Sequence, residues 1–357
     1  MGSAGPNHSE LTALDLPQVF VSDASGDEAQ AATELARTVV DLGIEVPFVF
    51  ASTHGAGVAA ELEGPQAPTG STQPPDQRWA ADLGSAARRS GADGIVAIGG
   101  GRRLDIAKLA AARAGLQFIA APTQLSHDGI CSPVAVVPNE AGTAESLGAV
   151  EPKAVFLSMP TLLRAPVRSV IAGIGDLLAN PLALRDWALA AERGLDEIDQ
   201  RAWDLSVHAF ELIEPHLDGD PTTMAKDVGF LAVLGEALIQ SGFAMISSGT
   251  SRPASGGEHE ISHALDELFG GPAMHGEQVA FGSIISVALY GEDTHLFRKR
   301  LRRLGLPQDP GDLGLDTEAM VRVILEAPNT RPGRFTILEN ADLDEPGARR
   351  LIESIWS

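Results

Sequence analysis

The chain has 357 residues, 44% of them hydrophobic and 21% charged, which is ordinary for a globular protein and enough for two cores, so disorder is not the starting expectation. A formal net charge of -22 argues against nucleic acid and anionic membrane as partners, because both call for clustered cations. The single cysteine, Cys131, excludes an intramolecular disulfide and a Cys-rich zinc site and fits a reducing compartment.

Met1 to Pro17 shows neither a basic start nor an apolar stretch of signal-peptide length, and no apolar run approaches a bilayer span, so the chain reads as cytoplasmic with no membrane partner. Between residues 18 and 158, short apolar runs alternate with helical stretches, the pattern of βα units around a parallel sheet. Strands are expected at 19–21, 46–50, 94–98, 118–121 and 154–157, helices at 27–42 and 77–90, and a loop at 64–75. After Pro160 the strand signal fades and Ala/Leu-rich helical stretches follow at 165–191, 196–214, 223–247, 258–268 and 276–289. The expected division is an α/β domain over residues 1–160 and an all-α domain over 161–357. Only four lysines occur, Lys108, Lys153, Lys226 and Lys299, so arginine carries nearly all the positive charge; with the abundance of alanine, this suggests a high-GC bacterial source.

The run from Gly249 to Asp266 and the following Pro272 to Gln278 hold three of the nine histidines. His259 and His263 are four apart, which stacks them on one face of a helix starting near Glu258, and His275 opens the next helical stretch after a Gly-Gly-Pro break. They read either as solvated helix-end histidines or as ligands of a divalent metal. Asp176, between glycines and apolar neighbours in Gly173-Ile174-Gly175-Asp176-Leu177, reads either as a cap or as a buried carboxylate that needs a partner or a metal. One Asp and two His make a three-ligand site with an open position for a substrate oxygen.

Gly99-Gly100-Gly101 joins a strand to a helix, either as a tight turn or as a cradle where the helix N-terminus meets a pyrophosphate. Pro122 to Ile130 follows another strand at the carboxyl edge of the sheet, where α/β folds bind ligands. There Thr123 and Ser126 offer donors and Asp128 an acceptor for substrate hydroxyls, with turn capping as the other reading of each.

The Gly99-Gly100-Gly101 turn with Asp105 and Lys108, Ser126-His127-Asp128-Gly129, Gly173-Ile174-Gly175-Asp176, Ser251 to His259, His275-Gly276-Glu277-Gln278 and Arg331-Pro332-Gly333-Arg334-Phe335-Thr336-Ile337-Leu338 together resemble the sn-glycerol-1-phosphate dehydrogenase family. That family shares a superfamily with iron-containing alcohol dehydrogenases and dehydroquinate synthases. The resemblance implies a Rossmann-like N-terminal domain, a helical C-terminal domain and a dehydroquinate synthase-like fold with the active site between them. It implies Asp176, His259 and His275 as metal ligands, with zinc the expected ion and other divalent ions as alternatives. Gly99, Gly100, Gly101 and Asp105 would hold the dinucleotide phosphates and their turn, with Thr123 and Ser126 beside the nicotinamide. Asp128 would contact substrate hydroxyls, His263 would relay a proton, and Arg252 would contact a substrate phosphate. The implied reaction is the reversible NAD- or NADP-linked reduction of dihydroxyacetone phosphate or a related keto-phosphate, by an expected homo-oligomer acting on a small phosphorylated substrate.

The chain departs from that family in two places. Ala51-Ser52-Thr53 stands where an acidic residue usually meets the ribose 2′-hydroxyl, which opens the site to NADP, and Phe335 replaces a Tyr. The main alternative is a dehydroquinate synthase-like cyclase or lyase that uses NAD and a metal on a sugar phosphate; that site depends on several lysines, and this chain lacks the expected acidic-Lys-Lys segment. An iron-type alcohol dehydrogenase would place a His four residues after Asp176, where Asn180 stands. A non-catalytic binding protein predicts a damaged ligand set, and all three candidates are present.

Overall fold

The computed structural model describes residues 16–23, 25–67, 75–140, 142 and 144–356. The reading of residues 1–15, and of 68–74 in the expected loop, lies outside the described residues. Five strands, β1 (Gln18–Val21), β2 (Pro47–Ala51), β3 (Gly94–Gly99), β4 (Gln117–Pro122) and β7 (Ala154–Leu157), form one sheet in the order β1-β7-β4-β3-β2, and every pairing is parallel. Helices cover both faces, which is why β2, β3 and β7 are buried along their whole length and read as continuous apolar runs. Side-chain alternation divides them: Val49, Val96, Ile98 and Ile119 pack with Leu35 and Val39 of α1 (Glu28–Asp41). Phe48, Phe50, Ile95 and Ala97 pack with α2 (Gln77–Arg89) and α3 (Gly101–Ala114) on the other face.

Between β4 and β7 the chain adds an antiparallel hairpin, β5 (Val134–Pro138) with β6 (Ala144–Gly148), that the sequence pattern does not announce. It is tied to α3 by Lys108, whose side chain is fully buried. Its ammonium donates to the carbonyls of Gly129 at 2.8 Å and Val134 at 2.5 Å and pairs with Asp105 at 3.1 Å.

Beyond β7 the regular elements among the described residues are helical. They are α4 (Met159–Leu162), α5 (Val167–Leu177), α6 (Asn180–Glu192), α7 (Gln200–Ile213), α8 (Pro221–Met224), α9 (Val228–Ser248), α10 (Gly257–Phe269), α11 (His275–Leu289), α12 (Thr294–Leu304), α13 (Thr317–Glu326), α14 (Ile337–Ala341) and α15 (Glu345–Trp356). Aspartates start several of them: Asp199 accepts from Ala202 N, and Asp227 from Gly229 N and Phe230 N. The single helix expected at 165–191 is broken after Leu177, where Leu178 and Ala179 form a turn before α6.

One expectation needs correction. Residues 167–192 and α9 do reach the length and mean hydropathy of a bilayer crossing, 1.3 and 1.6 respectively. Their apolar windows are 78% and 72% buried inside the protein, so they are core helices that the rest of the fold covers.

Candidate active site

The site is assembled where helix backbones touch. A Cβ on Gly276 of α11 would overlap the Ala172 carbonyl oxygen of α5, and one on Gly175 would overlap the Gly276 carbonyl oxygen. On the other side of α11, a Cβ on Gly282 would overlap the Glu258 carbonyl oxygen of α10. Gly173 in turn lies against the Leu125 carbonyl, which brings in the segment after β4. Glycine at these points lets three helices meet backbone to backbone, and Arg168 of α5 clamps Glu277 of α11 with two hydrogen bonds of 2.6 and 2.7 Å.

That crossing brings together Asp176 on α5, His259 in the first turn of α10 and His275 at the start of α11. Asp176 Oδ1 lies 3.8 Å from His259 Nε2 and 3.6 Å from His275 Nε2, and one donor atom from each residue falls within 4.8 Å of the others. Metal–ligand bonds of about 2.0–2.2 Å span both carboxylate–imidazole separations. Asp176 Oδ2 accepts from the Asp128 N–H at 2.9 Å, whereas Oδ1 is buried with no hydrogen-bond partner. Burial, with the Asp128 charge beside it, pushes the Asp176 carboxyl well above the usual range. Burial also holds the imidazoles of His259 and His275 well below theirs. An unpartnered carboxylate oxygen facing two neutral imidazole nitrogens suits a divalent cation, which would reverse the penalty on Asp176. His259 Nδ1 lies 3.1 Å from Glu258 Oε1, a contact that turns Nε2 toward the cluster.

Asp128 Oδ2 accepts from Ser241 Oγ at 2.9 Å, and burial pushes its carboxyl up to about 6. Asn180, at the position where iron-type alcohol dehydrogenases would place a His, donates from Nδ2 to that same Ser241 Oγ at 3.3 Å. It thus acts on the site through Ser241 and Asp128.

The glycine turn sits next to this cluster. Gly100 caps α3 without any side-chain hydrogen bond, leaving the helix N-terminus free for an anion. A Cβ on Gly101 would overlap the ring of His127, which accepts from Gly129 N at 3.0 Å through Nδ1 and meets His275 edge to face, centroids 5.7 Å apart. His127 therefore links the turn to the Asp176–His259–His275 cluster, a role that sequence reading missed. Thr123 donates its backbone N–H to the Gly99 carbonyl at 3.0 Å, and Ser126 is buried close to Gly276. Asp105 is buried and paired with Lys108, so it secures the segment after the turn, with Lys108 as its salt-bridge partner.

His263 lies one turn along α10 from His259. Its Nε2 faces Arg331 Nη2 at 3.1 Å; guanidinium only donates, so Nε2 accepts and Nδ1 carries the proton. Arg252 is buried, bonded to Asp196 at 2.7 Å and to the Phe335 carbonyl at 2.7 Å. Beside it stand Arg331 and Arg334, to which sequence reading gave no role although both lie in the quoted motif.

Residues 52–166 match the family described as iron-containing alcohol dehydrogenase. The crystal structure of glycerol dehydrogenase from Schizosaccharomyces pombe superposes with a TM-score of 0.75 over 95% of this chain and 89% of that one, at 19% identity. The fold thus defines the class, a two-part protein of the iron-containing alcohol dehydrogenase type with a parallel-sheet lobe and a helical lobe. A glycerol-1-phosphate dehydrogenase [NAD(P)+] of Methanospirillum hungatei is 37% identical over 75% of this chain and 73% of its own length. One from Methanocorpusculum labreanum is 33% identical over 91% of both. The chain belongs to the glycerol-1-phosphate dehydrogenase family.

Proposed function

We propose that this protein is a metal-dependent NAD(P)H oxidoreductase that reversibly reduces dihydroxyacetone phosphate, or a closely related keto-phosphate, to the corresponding polyol phosphate. The observation that carries the reading is the unpartnered buried oxygen of Asp176 facing His259 and His275 next to an open glycine turn. The names of the relatives agree with it. Residues 1–160 supply the coenzyme side and residues 161–357 the metal and substrate side.

A divalent ion, with zinc favoured by a two-nitrogen, one-oxygen donor set, supplies Lewis acidity to the substrate carbonyl when held by Asp176, His259 and His275. The nicotinamide supplies hydride to the carbonyl carbon. Gly99, Gly100 and Gly101 receive the dinucleotide phosphates at the head of α3, while Thr123 and Ser126 border the nicotinamide. Asp128, fixed by Ser241, accepts from a substrate hydroxyl. His263, whose Nε2 is taken by Arg331, would use its Nδ1–H to orient the water that supplies the proton taken up by the carbonyl oxygen. Arg252 contributes positive charge near the substrate phosphate.

NADP is accepted as well as NAD. Ser52 turns its hydroxyl to its own Gly55 N–H, and no acid stands at the end of β2. Arg103 lies over the Phe50 ring at 4.2 Å with a buried Nη1 that has no partner, a group able to meet a 2′-phosphate. The protein is further proposed to be a cytoplasmic homo-oligomer from a high-GC bacterium, supported by its buried lone thiol, its arginine- and alanine-rich composition and the exposed Val19 and Val21 on β1.

The test is metal analysis of the purified protein together with NADH and NADPH oxidation on addition of dihydroxyacetone phosphate. Asp176→Asn should lower divalent-metal affinity by about 100-fold and turnover with it. A metal-loaded wild-type enzyme that oxidises neither coenzyme with any keto-phosphate would overturn the assignment and favour lyase chemistry.

A further inference from the structure

Beside His263, whose Nε2 meets Arg331, an open pocket of about 340 Å³ is lined by Thr250, Ser251, Arg252, Arg331, Gly333 and Arg334. Two loops build it, one following α9 and one preceding α14. They are laced together because Arg331 Nη1 donates to Ser251 Oγ at 3.1 Å and Ser255 Oγ at 2.9 Å, and Arg334 Nη1 donates to the same Ser251 Oγ at 3.0 Å. Two guanidiniums thus share one hydroxyl, in a chain whose net charge of -22 offers acids in excess. Among the described residues neither forms a salt bridge, whereas Arg252 is paired with Asp196. Burial and the other two guanidiniums press Arg334 down to about 9. Half-buried like charges without a direct counter-ion are costly unless an anion completes the arrangement.

We propose that Arg331 and Arg334 form the seat of the substrate's phosphate and make the enzyme select a phosphorylated ketone over the free polyol's ketone. Arg252 is a positioning residue: its bonds to Asp196 and to the Phe335 carbonyl fix the loop that carries Arg334. The inference rests on the keto-phosphate reading above and adds where the phosphate goes. Planar guanidinium forks match two phosphate oxygens at once. Arg331 touches Ser251 at the pocket with one nitrogen and His263 with another, which sets the pair beside the helix α10 that also carries His259 one turn away.

Titration calorimetry with inorganic phosphate on the full-length, metal-loaded protein, combined with steady-state kinetics, tests this. Arg334→Met should weaken phosphate binding at least tenfold and raise KM for dihydroxyacetone phosphate about 30- to 100-fold, the loss expected for a charge-assisted contact. Its kcat and its slow rate with unphosphorylated dihydroxyacetone should stay within a few-fold of wild type. Arg334→Lys should recover part of the loss, because charge returns without the fork, and it replaces the Met variant if that fails to fold. Wild-type phosphate affinity and KM in the folded Met variant, or in the Lys variant where only that folds, overturn the proposal. A wild-type protein that binds phosphate through Arg334 yet reduces no keto-phosphate upholds the seat and refutes the reaction instead.

Discussion

Two buried aspartates in the helical half are treated differently by their surroundings. Asp176 keeps one oxygen without a partner, next to imidazoles. Asp186 accepts from Tyr290 Oη at 2.5 Å, Ile337 N at 2.8 Å and Gly257 N at 2.7 Å. Even so, burial and the neighbouring Glu258 carboxylate push Asp186 up to about 7 from an ordinary 3.8. A folded-state value above the unfolded one means that its contribution to stability is complete below about pH 4 and is lost as the pH rises through about 7. Thermal melts across that window should show wild type losing stability with rising pH, and Asp186→Asn, less stable at low pH, losing less. Equal slopes in the two proteins would refute the shift. In the sequence, Asp176 stood out by its glycine flanks and His259 and His275 by a histidine-rich window, and it was the family resemblance that joined the three into one ligand set. Arg331 and Arg334 did not stand out, since an Arg-Pro-Gly-Arg turn gains meaning only from Ser251, which meets it across 80 residues of chain.

At the level of elements, the glycine contacts set the site's dimensions. Gly276→Ala forces α11 away from the Ala172 carbonyl of α5, at a cost of about 1–3 kcal/mol in unfolding free energy. Because His275 precedes Gly276 directly, its imidazole moves with the helix, and divalent-metal affinity should fall even in protein that remains folded at assay temperature. Urea unfolding together with metal titration measures both; undiminished affinity would show that the crossing does not place the ligands. The sheet strands were readable as apolar runs because helices cover both their faces. The β5–β6 hairpin was not, because Pro133 and Pro138 punctuate it and Glu145 interrupts the apolar pattern, leaving only Ala135 and Val137 of β5 as a short buried face beside the Lys108 anchor. The break between α5 and α6 was likewise hidden, since Leu178 and Ala179 are good helix formers and only tertiary packing ends the helix there.

For the whole molecule, an ion held by the proposed ligands on α5, α10 and α11 would couple metal binding to the packing of the helical lobe. Ligands that converge only in the folded state make bound metal a stabilising ligand, worth about 4 kcal/mol when it is present at a thousand times its Kd. Chelation should therefore lower the melting temperature and added divalent ion should restore it, with Asp176→Asn responding less to both. A chelator-insensitive melt of the wild type would mean that the cluster holds no ion. The parallel sheet has a different consequence, for the order in which the chain is made. Among the described residues its first strand hydrogen-bonds to β7 alone, Gln18 opposite Ala154, although β7 comes last of the five in sequence. A nascent chain therefore emerges from the ribosome with an orphan strand that stays unmatched until nearly the whole nucleotide lobe has been translated, a long-range closure that is intrinsically slow. Val19 and Val21 are 42% and 52% exposed even once folding is complete, so this interval is when the protein is most open to mispairing with other chains and most in need of a chaperone.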